Sequence, residues 1–255
     1  MTLPPEILDN ILEHIFGSDE GRSTLIACAL VATWWVGSSQ RRLFSSVSID
    51  EGNYQRWMSG VVIPGPKAHL LGYVRSLWHY RRVDFRITYR MRDLPQDSGK
   101  YLSALRNINS LTLSRIRVEH ISGEGFRTCF SAFHETLTYL SLETFAASFS
   151  AFVALVGYFP NIRTLQLRLF ELEPDEGQVP TLSQPLRGKV YVQCAQDNSL
   201  EFYNLFAKLD QEYEELAIDT SSLSTSAKTG FLASALQIST TTVKFLGLTD
   251  EFRCE

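Results

Sequence analysis

Apolar residues in the first 46 positions recur at helical spacing. Ile7, Leu8, Ile11, Leu12, Ile15 and Phe16 follow an i, i+1, i+4, i+5 rhythm that leaves Asp9, Asn10, Glu13 and His14 on the other side. Pro4 and Pro5 suit a first turn, where their missing N–H groups go unused, and Glu6 sits near the positive end of the helix dipole. The pattern predicts a helix capped by Gly17. After a polar turn over 17–22, Ser23 can cap a second helix carrying Leu25, Ile26, Cys28, Ala29, Leu30 and Val31. Thr33 can cap a third, running through Trp34 and Trp35 to Leu43 and Phe44. Three such short helices bury too little surface to be comfortable alone, so the head calls for a partner.

Beyond the head the period changes. Ser45 to Asp50 alternates polar and apolar, which predicts a short strand, and 51–72 mixes Gly52, Gly60, Pro64-Gly65-Pro66 and Gly72 with Tyr54 and Trp57, which predicts a short helix and a loop. Residues 47–72 read as a junction. From Tyr73 a repeat begins: Ile108-x-x-Leu111-x-Leu113, Leu137-x-x-Leu140-x-Leu142, Ile162-x-x-Leu165-x-Leu167, Tyr213-x-x-Leu216-x-Ile218 and Val243-x-x-Leu246-x-Leu248, with a weaker Val190-x-Val192 and a degenerate Val74-x-x-Leu77. Numbering each unit so that its second apolar residue is slot four, the slot-four residues are Leu77, Leu111, Leu140, Leu165, Val190, Leu216 and Leu246. They are 34, 29, 25, 25, 26 and 30 positions apart. Each interval has room for one strand and one helix. Phe126, Phe130 and Phe133, then Phe149, Phe152, Val153 and Val156, then Leu200, Tyr203, Phe206 and Leu209, then Phe231, Leu232, Ala235 and Leu236 supply the helical spacing, and Pro160 ends the second of these helices. Residues 173–189, with Pro174, Pro180 and Pro185, read as extended chain.

The residues Leu3-Pro4-Pro5-Glu6-Ile7-Leu8, Ile11-Leu12 and Ile15-Phe16, followed by Leu25-x-x-Cys28-x-Leu30-Val31, Trp34 and Arg41-Arg42-Leu43-Phe44, resemble the F-box. The resemblance covers residues 1–46, under a fifth of the chain. It departs at Ala32, where Cys is frequent. It implies a three-helix module docking on a Skp-type adaptor, and through it a cullin, with Leu3, Pro4, Ile7, Leu8, Ile11, Leu12, Leu30, Val31 and Trp35 facing the adaptor or supporting that face. Trp34 can serve the same face or pack the head's core. The repeats over 73–255 resemble the leucine-rich repeat. Their ninth slot holds Ile116, Phe145, Phe170 and Ser221 where that family has Asn or Cys, so a less regular solenoid is expected. The expected fold class is α/β: a three-helix F-box, then an irregular solenoid of about seven parallel strands with helices on the convex side. The sequence stops soon after the seventh strand, so that end is expected to need cover.

In such strands slots three, five and seven face the concave side, and of these Trp78, Tyr80, Tyr139, Arg168 and Tyr191 are the candidates for binding a target protein, because Trp, Tyr and Arg most often dominate binding energy. The arginines Arg75, Arg81, Arg82, Arg86, Arg90 and Arg92 form a solvated basic face that can also meet an acidic or phosphorylated segment.

Composition narrows the options. A length of 255 residues with 44% hydrophobic content supports a real core. A net charge of -4 argues against nucleic acid and anionic membrane as partners. The start carries no secretory pattern, and no apolar run reaches the roughly 20 residues needed to span a bilayer. Cys28, Cys129, Cys194 and Cys254 lack metal or disulfide spacing and read as free thiols of a cytoplasmic or nuclear protein. His14, His69, His79, His120 and His134 suit neither a metal nor a catalytic base. No cofactor, metal or catalytic residue is expected. The reading is a non-catalytic substrate receptor of a ubiquitin ligase. A scaffold using the same two surfaces outside a ligase is the alternative, and an enzyme is disfavoured because no Gly-x-Ser-x-Gly or phosphate loop is present.

Overall fold

The computed structural model describes residues 4–16, 20–31, 33–50, 53–57, 68–80, 102–115, 127, 130–173, 186–194, 211–219 and 246–249. The helices expected over 200–209 and 231–236, the arginines from 81 to 92, and Leu3 lie outside them.

Three helices form the head: α1 (Pro5–Phe16), α2 (Gly21–Val31) and α3 (Thr33–Leu43). The second begins before the expected cap. Ser23 lies inside its first turn and donates from Oγ to the Glu20 carbonyl (2.8 Å). Gly21 is the reason α2 can start there, since a Cβ at this position would stand 2.2 Å from the Ile15 carbonyl oxygen. Leu8, Leu12 and Leu25 are fully buried at the centre, with Ile15, Cys28, Trp35 and Leu43 packed around them. Arg42 ties α3 to α1, donating to the Asp9 carbonyl (3.3 Å) and the Glu13 carboxylate (3.4 Å).

The other described residues form an α/β arrangement built on one parallel sheet, with nine strands among the described residues. In chain order these are β1 (Ser46–Ile49), β2 (Ser76–Tyr80), β3 (Ser110–Ser114), β4 (Tyr139–Glu143), β5 (Ala146–Ser148), β6 (Thr164–Glu173), β7 (Leu186–Cys194), β8 (Gln211–Asp219) and β9 (Leu246–Thr249). They lie side by side in the order β1-β2-β3-β4-β6-β7-β8-β9, and β5 pairs with the far end of β6. The seven strands expected from the spacing are β2, β3, β4, β6, β7, β8 and β9. Two more join them. β1, placed in the junction by the sequence, is the sheet's first strand, and β5 is a short addition after β4.

Register follows the slots. Val47, Leu77, Leu111, Leu140, Leu165, Val190, Leu216 and Leu246 are successive Cα partners, so slot four forms one column across the sheet. Slot one supplies a second buried column in Val74, Ile108, Leu137 and Ile162. The described helical segments cover this same face. Helix α5 (Phe149–Tyr158), capped by Ser148 through its Oγ on the Ala151 N–H (3.2 Å), buries Phe149, Phe152, Val153, Leu155 and Val156. The 3-10 turns Ala68–Tyr73 and Ser131–Phe133 add Leu71 and Phe133. Phe130, Phe133 and Phe159 interlock with ring centroids 5.6–6.2 Å apart. Short α4 (Tyr54–Trp57) follows β1. No helix among the described residues is long and apolar enough to cross a membrane.

Backbone bonds repeat as regularly as the side chains. The slot-two carbonyls of Ser45, Arg75, Asn109 and Thr138 each accept two N–H groups from the next unit, at 2.8–3.2 Å. Slot eight enters the left-handed region, with φ of 61° at Arg115 and 49° at Thr144, where β3 and β4 end, and 49° at Leu169, where the register of β6 shifts within the strand. The amides of Arg115 and Thr144 then donate to the slot-seven carbonyls of the following strand, at 2.8 and 2.7 Å. The ninth slot carries no ladder of polar side chains here: Phe145 fills it with a ring buried against Phe152. Polar links between units come instead from the residue before slot one. Asn107 reaches the Gly72 carbonyl (3.0 Å), Thr136 the Ile108 carbonyl (2.6 Å) and Asn161 the Glu135 carbonyl (2.8 Å).

At slot two of β7 the pattern tightens. Gly188 has φ +91°, the register shifts between it and Lys189, and a Cβ on it would stand 2.2 Å from the Arg163 carbonyl oxygen. Both the dihedral and the contact demand glycine. Gly188→Ala should therefore cost at least about 2 kcal/mol in denaturant titration; an unchanged midpoint would show that the bulge at β7 can relax freely.

Candidate functional site

Two surfaces concentrate chemistry, one on the head and one on the sheet. On α1 the apolar stripe is wider than its partner. Leu8 and Leu12 turn inward, while Ile7 and Ile11, one turn apart, stay 48% and 38% exposed. On α2, Leu25 turns inward while Ile26 and Leu30, again one turn apart, are 49% and 83% exposed. Phe16 adds another exposed ring at the end of α1. Isolated exposed apolar residues are ordinary, but two such pairs on adjoining helices of so small a unit are not.

The residues expected to serve an adaptor thus divide. Ile7, Ile11 and Leu30 stand on the outside, as does the backbone entry at Pro4. Leu8 and Leu12 support them from within, and Trp35 is half-buried against that core instead of standing on the outer face. The side chains of Val31 and Trp34 lie outside the described residues. Phe16 and Ile26 belong to the exposed set and were legible only as members of apolar stripes.

On the sheet, slots three, five and seven form the face opposite the covering helices. Tyr139, Arg168 and Tyr191 lie there on the adjacent strands β4, β6 and β7, in a belt of separate polar contacts, each between neighbouring strands. Tyr139 donates its hydroxyl to Gln166 Oε1. Arg168 donates from Nε to Gln193 Oε1 (3.1 Å) and its Nη1 lies 3.6 Å from Glu143 Oε1. Tyr191 donates to Glu215 Oε1 (3.3 Å), whose other oxygen meets Lys189 Nζ at 2.8 Å. Trp78 stands apart on β2, 49% exposed, across a strand that presents only Ser110, Thr112 and Ser114. Thr112 and Ser141 form a buried floor, and the Ser141 Oγ has no hydrogen-bond partner among the described residues. The side chain of Tyr80 lies outside the described residues. Sequence reasoning placed Glu143, Gln166, Lys189, Gln193 and Glu215 on this face without singling them out. Opposite charges in matching slots of neighbouring units were the available signal.

No family model and no curated protein matches this chain.

What the belt can do is hydrogen-bond and present charge. The Glu215 carboxylate, hydrogen-bonded to Lys189, raises the ammonium pKa, with Tyr191 adding to the effect. Partial burial raises the Tyr191 phenol, and the same carboxylate pushes it further. Burial also raises Tyr158. In each case the folded chain holds its proton more tightly than the unfolded chain. The contribution is complete below the ordinary Lys and Tyr range and is lost as pH climbs through the raised values. Stability should stay level to about pH 9 and fall above about pH 10, with a smaller alkaline loss in Glu215→Gln. Thermal melts across pH 7–11 check this, and a variant that tracks the parent throughout would remove the Glu215 contribution.

Proposed function

We propose that this protein is a substrate-receptor subunit of a Skp–cullin ubiquitin ligase, with an F-box head that docks on the Skp-type adaptor and a leucine-rich-repeat-like sheet that holds the target protein. The observation that carries the reading is the pair of outward apolar rows, Ile7 with Ile11 and Ile26 with Leu30, on a head whose own core is already closed by Leu8, Leu12 and Leu25. Rows like these gain roughly 1.5–3 kcal/mol per fully buried Leu or Ile when another protein covers them. The belt from Tyr139 through Arg168 to Tyr191, together with Trp78, supports the second half of the reading, because aromatic and guanidinium groups dominate protein interfaces.

The mechanism is proximity. Holding a target lysine near the charged conjugating enzyme raises its effective concentration, and no bond is made or broken on this chain. The test separates docking from folding. Ile11→Asp with Leu30→Asp should abolish co-purification of the adaptor and of cullin while leaving the melting curve in place. Leu12→Ala should instead lower stability by about 2–5 kcal/mol, since its side chain is in the core. Retained adaptor in the double variant would overturn the docking claim, and adaptor without cullin would favour a scaffold outside the ligase.

A further inference from the structure

Where the head meets the sheet, a cleft of about 410 Å³ opens beside β1. Ser46, Val47 and Ser48, three consecutive residues of that strand, line it. Successive side chains of a strand point to opposite faces, so three in a row border a cleft only along the strand's edge. β1 is the terminal strand of the sheet among the described residues, and this edge faces away from β2. The Ser45 carbonyl accepts the Arg75 and Ser76 amides and therefore points toward β2. In a parallel pair the direction alternates, which turns the backbone groups of Ser46 and Ser48 outward. The Ser48 carbonyl agrees, since it accepts Asn53 Nδ2 at 2.9 Å. This leaves the Ser46 carbonyl and the Ser48 N–H without a backbone partner among the described residues, in the spacing with which a parallel strand receives one residue of its neighbour.

The cleft is also locally cationic on a chain of net charge -4. Arg22 and Arg56 line it, no carboxylate does among the described residues, and neither arginine forms an ion pair with a described residue. The half-buried Trp57 provides apolar wall beside them.

We infer that this cleft binds an extended acidic peptide segment of a partner protein, which adds to the sheet as a strand parallel to β1. One residue of the segment donates its N–H to the Ser46 carbonyl and accepts the Ser48 N–H, and neighbouring carboxylates meet Arg22 and Arg56. Arg22 stands one turn before Ile26 on α2, so the cleft borders one outward row of the head, but it shares no residue with those rows or with the belt on the sheet, and it does not depend on the ligase reading.

The probe is a fluorescein-labelled peptide of alternating glutamate and valine, titrated with the full-length chain in fluorescence polarisation. Binding should weaken about tenfold or more in Arg22→Glu and in Arg56→Glu, the loss expected for a charge-assisted hydrogen bond. Ser48→Pro removes the outward donor without touching the ladder to β2 and should abolish binding, and so should N-methylation of the peptide's central amides, which leaves the protein unaltered. Ile11→Asp should bind normally. Equal binding of the N-methylated peptide would overturn strand addition, and equal binding in both arginine variants, or tighter binding of a lysine–valine peptide, would overturn the acidic partner.

Discussion

The sheet exists because one apolar column runs through it in a single register. Val47, Leu77, Leu111, Leu140, Leu165, Val190, Leu216 and Leu246 each sit opposite the next. A slip of one residue in any strand would turn its leucine to the open face and a polar side chain to the core, so the column fixes the alignment of everything beside it. The belt on the open face depends on that alignment. Glu143, Arg168 and Gln193 are successive Cα partners in slot seven, and Lys189 and Glu215 are partners in slot three. These polar contacts are half-exposed and individually weak. They follow the register without setting it.

That dependence explains what could be read from the sequence. Slot four is occupied by Leu or Val in every unit, and its recurrence carries both strand position and pairing. The pairing of β1 was harder to see. Val47 and Ile49 alternate as a strand should, and the interval from Val47 to Leu77 falls within the range of the others, but the Gly- and Pro-rich segment between them reads as a break. β5 is too short for alternation to announce it. The linking role of Asn107, Thr136 and Asn161 was hidden because their partners are carbonyls of another unit, which no local pattern reveals. Gly188 is similar: its need for glycine comes from the approach of the Arg163 carbonyl, a contact set by the neighbouring strand.

The head shows a different limit. An i, i+1, i+4, i+5 stripe is broad enough to have two rows, and only packing decides which row is inside. In α1 the row of Leu8 and Leu12 closes on Leu25, and the row of Ile7 and Ile11 is left out. The sequence specified that the helix was too apolar for its size, which was sufficient to call for a partner. It did not specify which of the two rows would be left outside. Trp35 followed the same logic, since a large ring near a small core is drawn toward it before it is offered to solvent.

Head and sheet are joined with little slack. Only Phe44 and Ser45 separate α3 from β1, and the Ser45 carbonyl is already part of the ladder, accepting the amides of Arg75 and Ser76. The 3-10 turn Ala68–Tyr73 also packs against α3, with His69 Nε2 3.4 Å from Gln40 Oε1. A flexible tether would let the head and the sheet turn independently, whereas a connection this short packs them directly against one another. The same close junction leaves the edge of β1 bordered by Arg22 from the head and Arg56 from α4. A strand edge that has no backbone partner among the described residues and no charge of its own is a standing template for another chain, and here the charges beside it are supplied by the elements on either side.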